Sequence, residues 1–150
     1  MFFASSFAAG GLYGSPVQLL SSAVLFLVLG FNEELLYRGV IQHATNTLGA
    51  ARSVVWVAAL FGFQHVAPAI FSGVPTYQIR AMMLSSAAFG VAYAAVRLRI
   101  GTIWPLAFSH ALEDFCSMRS LGGVPPWWYL FEAIFYVLYA AWLIRPSRTA

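Results

Sequence analysis

The chain contains no lysine, a single cysteine and very little charge. Charged residues make up 9% of its 150 residues, where an ordinary soluble domain carries about 25%. Hydrophobic residues reach 61%, more apolar surface than a water-soluble domain of this size can bury. The shortage of charge therefore excludes a soluble protein and makes the lipid bilayer its first partner. All eight basic residues are arginine and the net charge is +3. They form no cluster and do not alternate with aromatics, so no nucleic-acid partner is expected. Cys116 stands alone, which rules out an intramolecular disulfide and any cysteine-based zinc site. It reads as a small buried hydrophobe. The N-terminus "MFFASSFAAGGLYGSP" lacks the positive region of a secretory signal. There are no repeats, no low-complexity runs and no interdomain linker.

What is present is helix. Spanning segments must satisfy their own backbone hydrogen bonds, and the pattern predicts an all-α, polytopic membrane bundle of about five transmembrane helices. The first begins at Pro16, a favourable opening residue, and continues past two glutamates to about residue 45, with Leu36, Val40 and Ala44 recurring every four residues. The second covers about 51–66. Pro68, Gly73 and Pro75 then predict a loop or re-entrant turn over 67–76. The third covers 77–97 and is rich in small residues that let membrane helices pack closely. The fourth covers 103–118. The fifth, 127–144, opens on Trp127, Trp128 and Tyr129, an interfacial aromatic belt. The domain divides as a lead-in or weak partial span (1–15), a membrane domain (16–144) and a polar tail (145–150). Alternating these helices puts Arg52, Arg97, Arg99, Arg145 and Arg148 on one side and Arg80 and Arg119 on the other. The positive-inside rule makes the richer side cytoplasmic, with the C-terminus inside a bacterial cell membrane.

Against this background the few polar groups stand out. From Phe2 to Asn32 there is no charge at all; then come Glu33, Glu34 and Arg38. Glu113 and Asp114 form the second acidic cluster, with His110 four residues before Asp114 and so on the same helix face. Glu34 and Arg38 have the same spacing. An ionised side chain at the centre of a membrane helix costs about 2.5–3.5 kcal/mol, so four acids represent an upper-bound penalty on the order of 10 kcal/mol. Intramembrane ionisable groups are functional candidates for that reason. His65 lies roughly 20 Å into its helix and His110 roughly 10 Å. Glu33, Glu34, His65, His110 and Asp114 can then face one polar cavity open toward the cytoplasm. His43, Glu113 and Glu132 are read as interfacial or supporting groups, and Phe61 as packing.

Two chemistries suit this set. A carboxylate beside an imidazole activates water as a general base. Alternatively, two histidines and a carboxylate hold a divalent, zinc-like metal while a second carboxylate serves as base. Both hydrolyse amide bonds, and neither needs cysteine or serine. There is no G-x-S-x-G elbow and no H-E-x-x-H motif.

Three motifs stand in order: "EELLYR" as E-E-x-x-x-R, "FGFQH" as F-x-x-x-H and "HALED" as H-x-x-x-D. Together with "RIGTIWPLAFSHALEDF" they resemble the CPBP family of intramembrane proteases, which includes the eukaryotic CAAX prenyl endopeptidase and bacteriocin-immunity (Abi-like) relatives. The resemblance spans about 30–118. It implies an endopeptidase acting on membrane-associated peptides or proteins. Glu33 matches the catalytic glutamate, which with His65 would activate water. Glu34 would orient or pair, and Arg38 would hold a carboxylate. His110 matches either a metal ligand or an oxyanion stabiliser, and Asp114 takes the last motif place. A metal, if used, would take Glu33, His65 and His110.

The chain departs from that pattern twice. Eukaryotic members carry Asn where Asp114 stands, and only Asn, or a protonated Asp, donates to an oxyanion. Members also carry more helices before the first motif, so the chain is expected to be truncated, minimal or completed as an oligomer. Two other classes remain open: a non-proteolytic immunity or scaffold protein, and a small proton-coupled transporter.

Overall fold

The computed structural model describes residues 10–122 and 125–145. Most of the lead-in (1–9) and the tail beyond Arg145, with Arg148, lie outside the described residues. Helix α1 is continuous over Pro16–Leu48, followed by α2 (Ala50–Gln64), a short α3 (Val66–Phe71), α4 (Thr76–Ile100), α5 (Trp104–Arg119) and α6 (Pro126–Ile144). The described residues contain no strand, and Leu12 and Ser120 form an isolated antiparallel bridge. The protein is an all-α membrane bundle. Four stretches are long and apolar enough to cross a bilayer: Pro16–Leu48, Ala50–Phe71, Thr76–Ile100 and Trp127–Ile144. Helix α5 has 16 residues, about 24 Å at 1.5 Å per residue, less than the ~30 Å hydrocarbon core.

Local chemistry sets these limits. Ser15 caps α1 in a reciprocal box: its hydroxyl accepts from the Gln18 amide, and Gln18 Oε1 accepts from the Ser15 amide at 2.9 Å. Past Glu34 the helix widens into a π segment, Leu35–Ile41, and then tightens through Gln42–Thr45 into a 3-10 turn, Asn46–Leu48. The spacing alone predicts a plain α-helix there. Such π segments recur at functional sites, and this one begins directly after the paired glutamates. Helix α4 stops at Gly101, whose φ of 72° is the left-handed conformation a C-terminal cap requires.

The expected loop over 67–76 is shorter than the proline and glycine signals imply. The break falls at His65, and the chain resumes as helix over Val66–Phe71. Pro68 accounts for both facts. It cannot donate to the Gln64 carbonyl, so α2 ends there. In the first turn of the next helix a missing N–H costs nothing.

Helix α4 is the hub. It packs against α2 on one side and α6 on the other through buried Ala88, Ala92, Ala94 and Ala95. Helix α1 packs against α5, and its π segment reaches α2 and α4. Glycines set both close approaches. A Cβ on Gly62 would lie 2.6 Å from the Met83 carbonyl, and one on Gly30 would lie 2.9 Å from the Ala111 nitrogen. Large apolar side chains such as Leu20, Val55, Leu84 and Leu130 are more than half exposed on the outside. That is the surface a lipid-facing bundle presents, and in water it would aggregate. Arg99 Nε donates to the Leu143 carbonyl at 2.6 Å, so the ends of α4 and α6 meet. Arg119 sits at the far end of α5, donating to Ser22 Oγ.

Candidate active site

Glu34 is the fixed point. Its side chain is fully buried, and Oε1 accepts from Arg38 Nη1 and from His110 Nδ1, each at 2.9 Å. The Arg38 guanidinium, also buried, lies 4.4 Å from the centre of the Phe61 ring, a cation–π distance. A carboxylate so enclosed is the keystone joining α1, through its π segment, to α5. Its neighbour Glu33 is different in kind. One-third of its side chain is exposed, and Oε2 accepts from Gln64 Nε2 at 3.2 Å.

His65 lies at the α2–α3 break. Its backbone N–H turns to Gly62, at 3.4 Å, and its ring Nδ1 lies 2.8 Å from the Phe61 carbonyl. A carbonyl only accepts, so Nδ1 carries the proton and Nε2 is left as the acceptor. His110 is held in a similar manner by Glu34. Its Nε2 points between two carboxylates, 3.8 Å from Glu33 Oε2 and 3.7 Å from Asp114 Oδ2. Those separations are too long for direct hydrogen bonds. Phe61 ties the histidines together, with ring centres 5.2 Å from His65 and 5.8 Å from His110.

Two cavities flank this group and share His65. One, of about 180 Å3, lies among α2, α4, α5 and α6 and is lined by His65, His110, Asp114, Glu113, Glu132 and Tyr136, among others. The other, of about 330 Å3, opens along α3 and is lined by Glu33, Gln64, His65, Pro68 and Met82, among others.

The structure thus brings Glu33, Glu34, Arg38, His110 and Asp114 into one contact network, with His65 joined through Phe61 and the two cavities. The expected metal set is not assembled. Among the described residues no three His, Cys, Asp or Glu side chains stand together as ligands for one ion. The Nε2 of His110 faces Glu33 and Asp114, but His65 is not a third member of that group. His43 is exposed and outside the network.

Glu113 and Glu132, read as interfacial or supporting groups, both line the 180 Å3 cavity. Glu113 lies 100° around the helix from Asp114, but α6 completes the wall on that side and encloses it. Gln64, the donor to Glu33, is not singled out by the motif spacing. Its only signal is its place beside His65 at the mouth of a proline-terminated helix.

The model of the type II CAAX prenyl endopeptidase Rce1-like family matches residues 15–116, more than half of the chain and all three motifs. The chain belongs to this family of intramembrane proteases. Nothing matches it among curated proteins or among solved structures.

Proposed function

We propose that the chain is an intramembrane endopeptidase that hydrolyses a peptide bond by water activated at Glu33, with His65 as the neighbouring acceptor. The observation supporting this division of labour is the contrast between adjacent glutamates. Glu34 is sealed and doubly hydrogen-bonded, while Glu33 is one-third exposed on a cavity wall. A general base must reach its water, and only Glu33 is open to one.

Glu33 Oε2, held by Gln64, takes a proton as the water oxygen attacks the scissile carbonyl. His65 Nε2 lines the same groove and accepts a hydrogen bond from that water, aiming its lone pair. His110, fixed through Nδ1 by Glu34, turns Nε2 toward the space between Glu33 and Asp114. Protonated there, it donates to the developing oxyanion, and preorganised donors of this type contribute most where water is excluded. Asp114 offsets the imidazolium charge. Glu33 then returns its proton to the leaving amine. The substrate is a membrane-associated peptide or protein in a bacterial cell membrane.

The test is cleavage of membrane-associated peptides by purified protein in liposomes, wild type beside Glu33→Gln. Cleavage lost in the variant supports the reading. A wild type that cuts nothing, or a Glu33→Gln protein that cuts equally well, would overturn it in favour of a scaffold role.

A further inference from the structure

Charge is spread unevenly through this bundle. The chain has five acidic side chains. All of them, Glu33, Glu34, Glu113, Asp114 and Glu132, belong to the site network or line its cavities. The end formed by the start of α2 and the finish of α4 and α6 holds none. It holds Arg52, Arg97, Arg99 and Arg145. Two of these have partners in the protein. Arg99 Nε donates to the Leu143 carbonyl, and the Arg145 guanidinium lies 5.4 Å from the centre of the Trp142 ring. Arg52 and Arg97 have no hydrogen-bond, ion-pair or ring partner among the described residues, and Arg97 Nε is buried without an acceptor. A buried donor is normally paired.

The register of the helices brings these two arginines to one level. A Cβ on Gly62 would meet Met83 and Ala87, and one on Gly90 would meet Ala58, so α2 and α4 run antiparallel. Seven residues, close to two turns, lead from Gly90 to Arg97 on the same face of α4. The same step back along α2 leads from Ala58 to Ala51, beside Arg52. Arg97 therefore lies level with the first turn of α2. Cations are poorly placed there, because a helix N-terminus carries partial positive charge. This one has no acidic residue in its first turn and no side-chain cap. The missing negative charge has to come from outside the chain.

Depth and surroundings identify its source. The spans Ala50–Phe71 and Thr76–Ile100 have 22 and 25 residues. At 1.5 Å per residue they run to about 33–38 Å, longer than the ~30 Å hydrocarbon core. Their ends, with Arg52 and Arg97, thus stand in the headgroup layer. Trp56 and Leu60 follow Arg52 at four-residue intervals and are exposed, an apolar strip directly beneath the charge.

We propose that Arg52 and Arg97 bind the headgroup phosphate of an anionic phospholipid, with one of its acyl chains lying along Trp56 and Leu60. The site is separate from the peptide chemistry and does not depend on which leaflet this end occupies. Native mass spectrometry of the full chain in a non-ionic detergent tests it, with phosphatidylglycerol or phosphatidylcholine of the same acyl chains as the titrant. The wild type should hold phosphatidylglycerol about tenfold or more tighter, since each basic side chain near an anionic surface contributes roughly fivefold. In Arg52→Gln/Arg97→Gln the preference should fall to within about twofold. Arg80→Gln, at the opposite end of α4, should leave it unchanged. Gel filtration and thermal unfolding report whether the double variant is folded; if it is not, Arg52→Gln alone, at an exposed position, must lower the preference. Equal binding of the two lipids overturns the site. So does a preference that survives the substitutions, or one that Arg80→Gln weakens as much. Release of phosphatidylglycerol by millimolar inorganic phosphate would assign the arginines to a soluble anion and overturn the lipid.

Discussion

Glu34 Oε1 and His110 Nδ1, 76 residues apart in sequence, meet at 2.9 Å in the interior of the bundle. This bond joins the first motif to the third. It also gives the two glutamates separate duties, since a carboxylate that orients an imidazole and balances Arg38 is not available to move protons to a substrate.

Arg38 should therefore matter for folding first. Removing one partner of a buried pair leaves the other charge uncompensated and costs about 3–5 kcal/mol. Arg38→Ala is expected to lower the thermal midpoint in detergent sharply and to lose activity with it. Arg38→Lys should not restore either, because an ammonium lacks the planar face now stacked 4.4 Å from Phe61. A variant with the wild-type midpoint would show that the pair is not the keystone.

Glu33 should behave in the opposite way. Glu33→Gln removes a general base from a partly exposed position, so the expected loss is about 10²–10⁴ in kcat with little change in unfolding temperature. Gln64→Leu removes only the 3.2 Å hydrogen bond to Glu33, and an ordinary hydrogen bond contributes about 0.5–1.5 kcal/mol. Its cost should be roughly tenfold or less. Rates and melting curves on the same preparations separate these two from Arg38.

Much of this was legible in the sequence because a membrane makes polarity expensive. Glu33, Glu34, His65, His110 and Asp114 stand out simply by being ionisable within apolar runs. What stayed hidden depends on packing in three dimensions. The π segment over Leu35–Ile41 continues the apolar four-residue spacing of the helix before it, and a lone Gly39 within a helical pattern does not by itself mark a π segment. The enclosure of Glu113 depends on where α6 lands, and nothing within α5 encodes that. Pro68 was visible as a breaker, but whether a helix restarts after it depends on its falling in a first turn.

Asp114 poses a finer question. Its Oδ2 lies 3.7 Å from His110 Nε2, near enough to offset an imidazolium. Asparagine there loses that charge but gains an N–H that can donate to an oxyanion. The two effects oppose, so Asp114→Asn is expected to stay within about tenfold of wild type. Asp114→Ala offers neither and should lose about 10²-fold, the scale of one missing oxyanion-site group. Equal losses in the two variants would count against a role at the oxyanion.

Orientation can be tested at the end where α4 and α6 meet. Arg99 reaches Leu143 there, beside Arg145, so the arginines of both helix ends share one face of the bundle. In a Cys116→Ala background, Arg145→Cys in spheroplasts should resist a membrane-impermeant maleimide until the cells are opened. Labelling of intact spheroplasts would place that end outside and reverse the orientation expected from the arginines.

The glycines provide a test of how the site is spaced. Gly30 lies one turn before Glu33, and a Cβ there would meet the backbone of Ala111, next to His110, at 2.9 Å. Gly62 lies three residues before His65, and its Cβ would meet the Met83 carbonyl at 2.6 Å. Backbone cannot swing aside as a side chain can, so each added methyl must push two helices apart. Overpacking of this type costs about 1–3 kcal/mol. It should also widen the gaps from His110 to Glu33 and from His65 to α4, so activity should fall more than stability alone explains. Gly39 is the control. Its Cβ would meet only the Leu35 side chain, at 3.2 Å, and Leu35 is exposed enough to move. Gly39→Ala should leave the midpoint and the rate nearly unchanged, while Gly30→Ala and Gly62→Ala lower both. If all three behave alike, close helix approach is not what sets the geometry of the site.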